Sequence, residues 1–208
     1  MVFMQASPRL LMQYYVQAEY KNRIFTTKNG IKPLVKQVKE LTFMYSPINN
    51  NNMILQKGTV APEFELFSTP DQKLRLIDLK GKRVILAFYP ADWSPVCGDQ
   101  MALYNETLKF FHKQNAEMIG ISVDGKWCHM AFSQDRKLHF PLLADFEPKG
   151  AISNLYGAYD ETEGHSKRAL FVIDEEGVIQ WSYLSPEGIN PGADGILDAL
   201  EKLSTAKS

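Results

Sequence analysis

The stretch Arg83–Gln100, RVILAFYPADWSPVCGDQ, decides the fold. Val84, Ile85, Leu86, Ala87 and Phe88 form a short unbroken apolar run, the pattern of a strand covered on both faces. Pro90 closes it, because proline has no N–H to give to a sheet ladder. Ser94-Pro95 then opens a helix, with a hydroxyl at the N-cap and a proline at the first helical position, where the missing N–H costs nothing. Cys97 falls in the first turn, beside the positive end of the helix dipole, which favours a negative sulfur. A strand, a sharp turn and a cysteine at a helix start make a site for nucleophilic sulfur chemistry. The stretch alone suits a buried structural cysteine equally well, the common fate of a free thiol. Cys97-Gly98-Asp99-Gln100 lacks a second cysteine, so dithiol exchange of the Cys-x-x-Cys kind is disfavoured.

Upstream, Phe64-Glu65-Leu66 and Leu74-Arg75-Leu76 alternate apolar and polar residues on either side of Thr69-Pro70-Asp71, which predicts a hairpin. Downstream, Met101, Leu103, Tyr104, Leu108, Phe110 and Phe111 recur near helical spacing, ending about Gln114-Asn115. Glu117 to Val123 reads as a second buried strand, Lys126 to Leu138 as a helix and Phe140 to Ala144 as a third strand. Lys149 to Tyr156 predicts a short helix with Gly157 as its C-cap. Ala169 to Ile173 and Val178 to Tyr183 form a final hairpin whose turn ends in Gly177. Gly192 to Leu203 closes the chain as an amphipathic helix. Strands alternating with helices, then a terminal hairpin, predict an α/β sheet with some antiparallel pairing.

The 208 residues have room for one domain of ordinary size, and no run of eighteen apolar residues is present to span a membrane. A net charge of −1 gives no reason to expect nucleic acid. Cys97 and Cys128 are the two cysteines, which excludes a disulfide scaffold and favours a reducing, cytoplasmic setting with catalytic thiols. Residues 1–52 carry seven Lys/Arg against Glu19 and Glu40, and the remaining 156 residues carry a net −6. This basic extension, disordered or loosely packed, is either an organellar targeting segment or the product of a start upstream of Met53, and 53–208 is the domain proper. Cys128-His129, with His139 beyond, has no partner at closed-zinc spacing, so no metal is expected. No phosphate loop or dinucleotide fingerprint occurs, so no cofactor is expected either.

Pro90, Ser94 and Cys97 resemble the Pro-x-x-x-Thr/Ser-x-x-Cys signature of the peroxiredoxins, and FYPADWSPVC resembles their alkyl hydroperoxide reductase/thiol-specific antioxidant branch. The resemblance runs from about Gly58, where GTVAPEFEL is similar to the family's opening segment, to about Leu203. It implies a thioredoxin-like fold with an N-terminal hairpin added and a central mixed sheet flanked by helices. It also implies a thiol-dependent peroxidase acting on hydrogen peroxide and organic hydroperoxides. Cys97 would attack a peroxide oxygen and become a sulfenic acid. Ser94 would offer its hydroxyl where most members have threonine, and Pro90 would shield the pocket. SKRALFVID is similar to the segment carrying the family's active-site arginine, which makes Arg168 the fourth member; a bare strand-end arginine is the other reading. Gln100 stands where many relatives have glutamate, so a carboxylate's role does not carry over. A homodimer is implied at family level, with thioredoxin or a glutaredoxin-like protein as reductant. Two other functions use the same cysteine: a non-enzymatic redox sensor or holdase, and a general thiol-disulfide reductase.

Cys128 has two readings. It follows the strand Glu117–Val123 as Cys97 follows Val84–Phe88, and strands joined by one helical crossover are usually neighbours. Both cysteines then lie at one edge of the sheet, each in a helix's first turn, and Cys128 resolves the Cys97 sulfenic acid once a turn unwinds to disulfide distance. Otherwise Cys128 is a core cysteine near Trp127, and an external thiol acts on Cys97 directly.

Overall fold

The structure is a computed structural model that describes residues 53–205. The reading of residues 1–52 lies outside the described residues. The apolar run forms β3 (Arg83–Phe88), with every residue buried. Its side chains alternate between two cores, as the pleat demands. Ile85 and Ala87 face one of them; Val84, Leu86 and Phe88 face the other. β3 pairs in parallel with β4 (Ala116–Ser122), and β4 in turn with β5 (Leu142–Ala144). On its other side β3 pairs antiparallel with β8 (Ala169–Ile173), which continues through the predicted hairpin into β9 (Ile179–Leu184). Gly177 turns that hairpin at φ +87°, a backbone setting that favours glycine.

The N-terminal hairpin is β1 (Glu65–Phe67) and β2 (Lys73–Arg75), which joins the sheet through a single β1–β5 pairing, Phe67 with Ala144. The order is β2-β1-β5-β4-β3-β8-β9, a mixed sheet with β3 and β4 at its centre. Crossover α1 (Pro95–Lys113) joins β3 to β4, and α2 (Lys126–Arg136) joins β4 to β5. The buried face of α1 carries Cys97, Met101, Tyr104, Leu108 and Phe111, which recur every three to four residues. The fold class expected from the sequence is the one observed.

Several boundaries move. Strand β5 begins at Leu142 rather than Phe140, since Pro141 has no N–H to pair and its carbonyl accepts instead from Gly120. Helix α2 stops at Arg136, where Lys137 turns left-handed at φ +52°. Helix α3 occupies only Ala151–Leu155, and Gly157 follows its C-cap Tyr156. Helix α4 runs Asp194–Thr205; Gly192, at φ +71°, stands outside it. A two-stranded ladder, β6 (Tyr159–Asp160) with β7 (His165–Ser166), has no counterpart in the sequence reading. No helix among the described residues is long and apolar enough to cross a membrane.

Candidate active site

The loop after β3 delivers α1 as the sequence predicts. Ser94 is the N-cap, in extended conformation, and Pro95 opens the helix. The Ser94 Oγ accepts from the Cys97 backbone N–H at 3.4 Å, and its own proton points to Cys97 Sγ at 3.0 Å. One hydroxyl therefore caps the helix and donates to the sulfur. The two contacts fix its orientation without the methyl of a threonine. Cys97 is fully buried, and Pro90 is half-buried where β3 gives way to the loop.

Arg168 reaches the same sulfur from the other side. In the antiparallel pairing of β3 with β8, Phe88 lies opposite Ala169, so the residue before β8 stands at the mouth of the β3–α1 loop. Arg168 is 6% exposed, and its Nη2 donates to Cys97 Sγ at 3.5 Å. Its Nη1 donates to the amide oxygen of Gln100, while Nε has no partner. The Gln100 amide nitrogen donates to the Tyr104 hydroxyl at 3.0 Å, which donates to the Gly192 carbonyl at 3.3 Å. Burial pushes the Tyr104 phenol up, against the opposing pull of Gln100 and Arg168. The Gln100 amide thus makes a polar contact with Arg168. Cys97, Ser94 and Arg168 are brought together around one sulfur.

Cys128 occupies the corresponding position in α2, in the first turn after N-cap Gly125. The expected neighbourhood of the two strands holds, with Phe88 opposite Ile121 in the parallel pair. The partners of the two thiols differ, however. Cys128 Sγ lies 3.9 Å from Asp124 Oδ1, and it groups within 4.8 Å with an oxygen of each of Asp92 and Asp124. Burial first, then hydrogen bonding and charge from Asp92 and the charge of Asp124, push its thiol up to about 11; Trp93 opposes them. Both cysteines are free thiols. Trp127 is exposed, so it does not bury Cys128 in a core.

Sequence reading missed the network that ties these two helix starts together. Asp92 and His129, 1% and 2% exposed, meet at 2.9 Å between Oδ2 and Nδ1. The Tyr89 hydroxyl donates to Asp92 Oδ1 at 2.7 Å. Asp124 accepts from the Asp92 N–H at 2.8 Å and from the Ser122 hydroxyl at 2.7 Å. The other ring nitrogen of His129 faces the Leu143 carbonyl at 3.1 Å. His129, weighed from the sequence beside Cys128 as a metal ligand, is engaged by Asp92 and Leu143. The adjacency of strand ends that brings the two cysteines to one edge was the signal for this pair as well.

A family model described as the AhpC/TSA family matches residues 57–182. The chain belongs to the AhpC/TSA family, the peroxiredoxins. Over 157 residues it is 38% identical to a chloroplastic 2-Cys peroxiredoxin BAS1 of Spinacia oleracea, covering 70% of this chain and 58% of that one. It is 40% identical to Peroxiredoxin-2 of Bos taurus over 133 residues, covering 59% of this chain and 66% of that one. The chain thus spans less than two thirds of the length of these curated relatives. Among solved structures, that of Enterococcus faecalis AhpC matches with a TM-score of 0.66 at 28% identity, covering 74% of this chain and 95% of that one. The reduced Plasmodium vivax 2-Cys peroxiredoxin matches with a TM-score of 0.68 at 27% identity, covering 74% and 84%. The peroxiredoxin resemblance and its thioredoxin-like fold are therefore confirmed.

Proposed function

We propose that this peroxiredoxin is a thiol-dependent peroxidase that reduces hydrogen peroxide and organic hydroperoxides. The observation that carries this reading is the convergence of Ser94 Oγ at 3.0 Å and Arg168 Nη2 at 3.5 Å on the buried Cys97 sulfur. In the reaction, Cys97 thiolate attacks one oxygen of ROOH, the S–O bond forms and the O–O bond breaks. Cys97 becomes a sulfenic acid, and the departing RO⁻ takes a proton to become ROH. Negative charge moves from sulfur to the departing oxygen. A fixed guanidinium and a helix N-terminus are suited to follow it, and the Ser94 hydroxyl, held beside the sulfur, is placed to donate to the peroxide. Pro90 shields the pocket from the loop side.

A thiol then condenses with the sulfenic acid, with loss of water, and the disulfide formed is reduced by a thiol reductant, thioredoxin or a glutaredoxin-like protein. Cys128 is the proposed intrachain resolving residue. That role requires its contacts with Asp92 and Asp124 to break, because attack needs the thiolate that they disfavour. The working form is a homodimer in a reducing compartment, cytoplasmic in the simplest case. A redox sensor or holdase would leave the donors around Cys97 without a substrate to act on, and a disulfide reductase lacks the paired cysteines. Purified Cys97→Ser protein assayed for peroxide consumption with thioredoxin, glutaredoxin and dithiothreitol tests the proposal. Turnover is expected to vanish with all three, and turnover near that of the parent protein would overturn it.

A further inference from the structure

Arg136, the last residue of α2, lies against the helix turn that carries Cys97. A Cβ placed on Gly98 would stand 3.5 Å from Arg136 Nη2, 3.6 Å from Cζ and 3.7 Å from Nη1. Distances so nearly equal mean that the guanidinium turns its flat face to Gly98, the residue next to Cys97. Its carbon also sits 5.8 Å from the ring centroid of Phe132, one turn back in α2. Phe132 is fully buried and meets Trp93 edge-on at 5.3 Å. Trp93 directly precedes the N-cap Ser94 and is half exposed. A guanidinium and an apolar surface thus form one row beside the first turn of α1. The packing leaves the donors of Arg136 open, because guanidinium N–H bonds lie in the plane of the group. Nε approaches Asp135 at 3.4 Å in an exposed ion pair, a weak kind of contact. Nη1 and Nη2 have no hydrogen-bond partner among the described residues. Asp99, the exposed carboxylate of the same turn of α1, forms no ion pair with them. The side chain is 42% exposed, so an anion can reach it from solvent.

We infer that Arg136 is a specificity-determining residue that takes the carboxylate of an anionic organic hydroperoxide. The apolar part of that molecule lies along Trp93, and its peroxide end arrives at Ser94 and Cys97. This rests on the peroxidase reading of Cys97 and deepens it by naming the substrate class. Two adjacent N–H-bearing groups in one plane match the two oxygens of a carboxylate. Hydrogen peroxide has no tail for Arg136 to hold. A neutral organic hydroperoxide gains the Trp93 contact alone.

The test compares oxidation of Cys97 by the 9-hydroperoxide of linoleic acid with oxidation by its methyl ester, in the full chain and in Arg136→Gln. In the parent protein the acid is expected to react faster than the ester. The acid-to-ester ratio of second-order rate constants is expected to fall about tenfold in Arg136→Gln, the loss of one charge-assisted contact. Without any substitution, added salt should shrink that ratio in the parent, because an exposed charge pair is screened. Equal ratios in the two proteins, or a parent ratio that salt does not move, would overturn the inference. A parent protein oxidised by neither compound would count against the peroxidase reading instead. Binding of linoleic acid itself, followed by quenching of tryptophan fluorescence, then decides the carboxylate site. A Kd about tenfold weaker in Arg136→Gln would support the site, and an equal Kd would overturn it.

Discussion

Replacing Arg168 by methionine removes the guanidinium while an unbranched apolar chain fills much of its volume. The loss is therefore mainly electrostatic. At the observed 3.5 Å between Nη2 and Sγ, a unit charge pair at an effective dielectric near 20 is worth about 4–5 kcal/mol before compensation. The Ser94 hydroxyl and the helix N-terminus remain, and entering water recovers part of the rest. A net loss of about 2.7 kcal/mol at the transition state corresponds to a rate lower by roughly a hundredfold. Stopped-flow tryptophan fluorescence is the assay, because Trp93 adjoins the N-cap and meets Phe132 edge-on at 5.3 Å. The second-order rate constant for peroxide should drop by that factor with the circular dichroism spectrum unchanged. A well-folded Arg168→Met protein oxidised within about threefold of the parent rate would refute the role given to Arg168.

Three further predictions concern Cys128. In a Cys97→Ser background its alkylation rate should keep climbing past the ordinary thiol range toward a midpoint near 11, and a plateau by pH 9 would show that Asp92 and Asp124 do not act on it. The same raised value makes Cys128 a source of stability below the ordinary thiol range that is lost as pH rises through about 11. Cys128→Ser should still undergo its first oxidation, but should accumulate sulfenic or sulfinic acid and lose turnover with thioredoxin. Normal cycling with that reductant would make Cys128 structural.

Legibility in the sequence followed burial. Val84–Phe88 could be read because a central strand covered on both faces has no polar position to interrupt the run. Ser94-Pro95 could be read because a helix start needs those two residue types for separate reasons. Resemblance rather than pattern singled out Arg168, and its route to Cys97 depends on the β3–β8 register, which no local signal encodes. The β1–β5 pairing rests on one residue pair, and the β6–β7 ladder has two residues per strand, too short for alternation to register. Asp92 and His129 were passed over for a different reason. Each is a polar residue in a loop or a helix's first turn, where exposure is the usual state. Only tertiary contact between the β3 and β4 ends makes them a buried pair.

If Cys97 is the residue that meets peroxide, its sulfenic acid can be trapped. The reduced protein is mixed with one equivalent of hydrogen peroxide in the presence of dimedone, then digested and mapped by mass spectrometry. A dimedone adduct, together with any disulfide to Cys128, is expected on the Cys97 peptide in proportion to the peroxide consumed, and neither is expected in Cys97→Ser. Peroxide consumed at the parent rate with neither an adduct nor a disulfide at Cys97, or with the adduct on Cys128 alone, would contradict the role of Cys97.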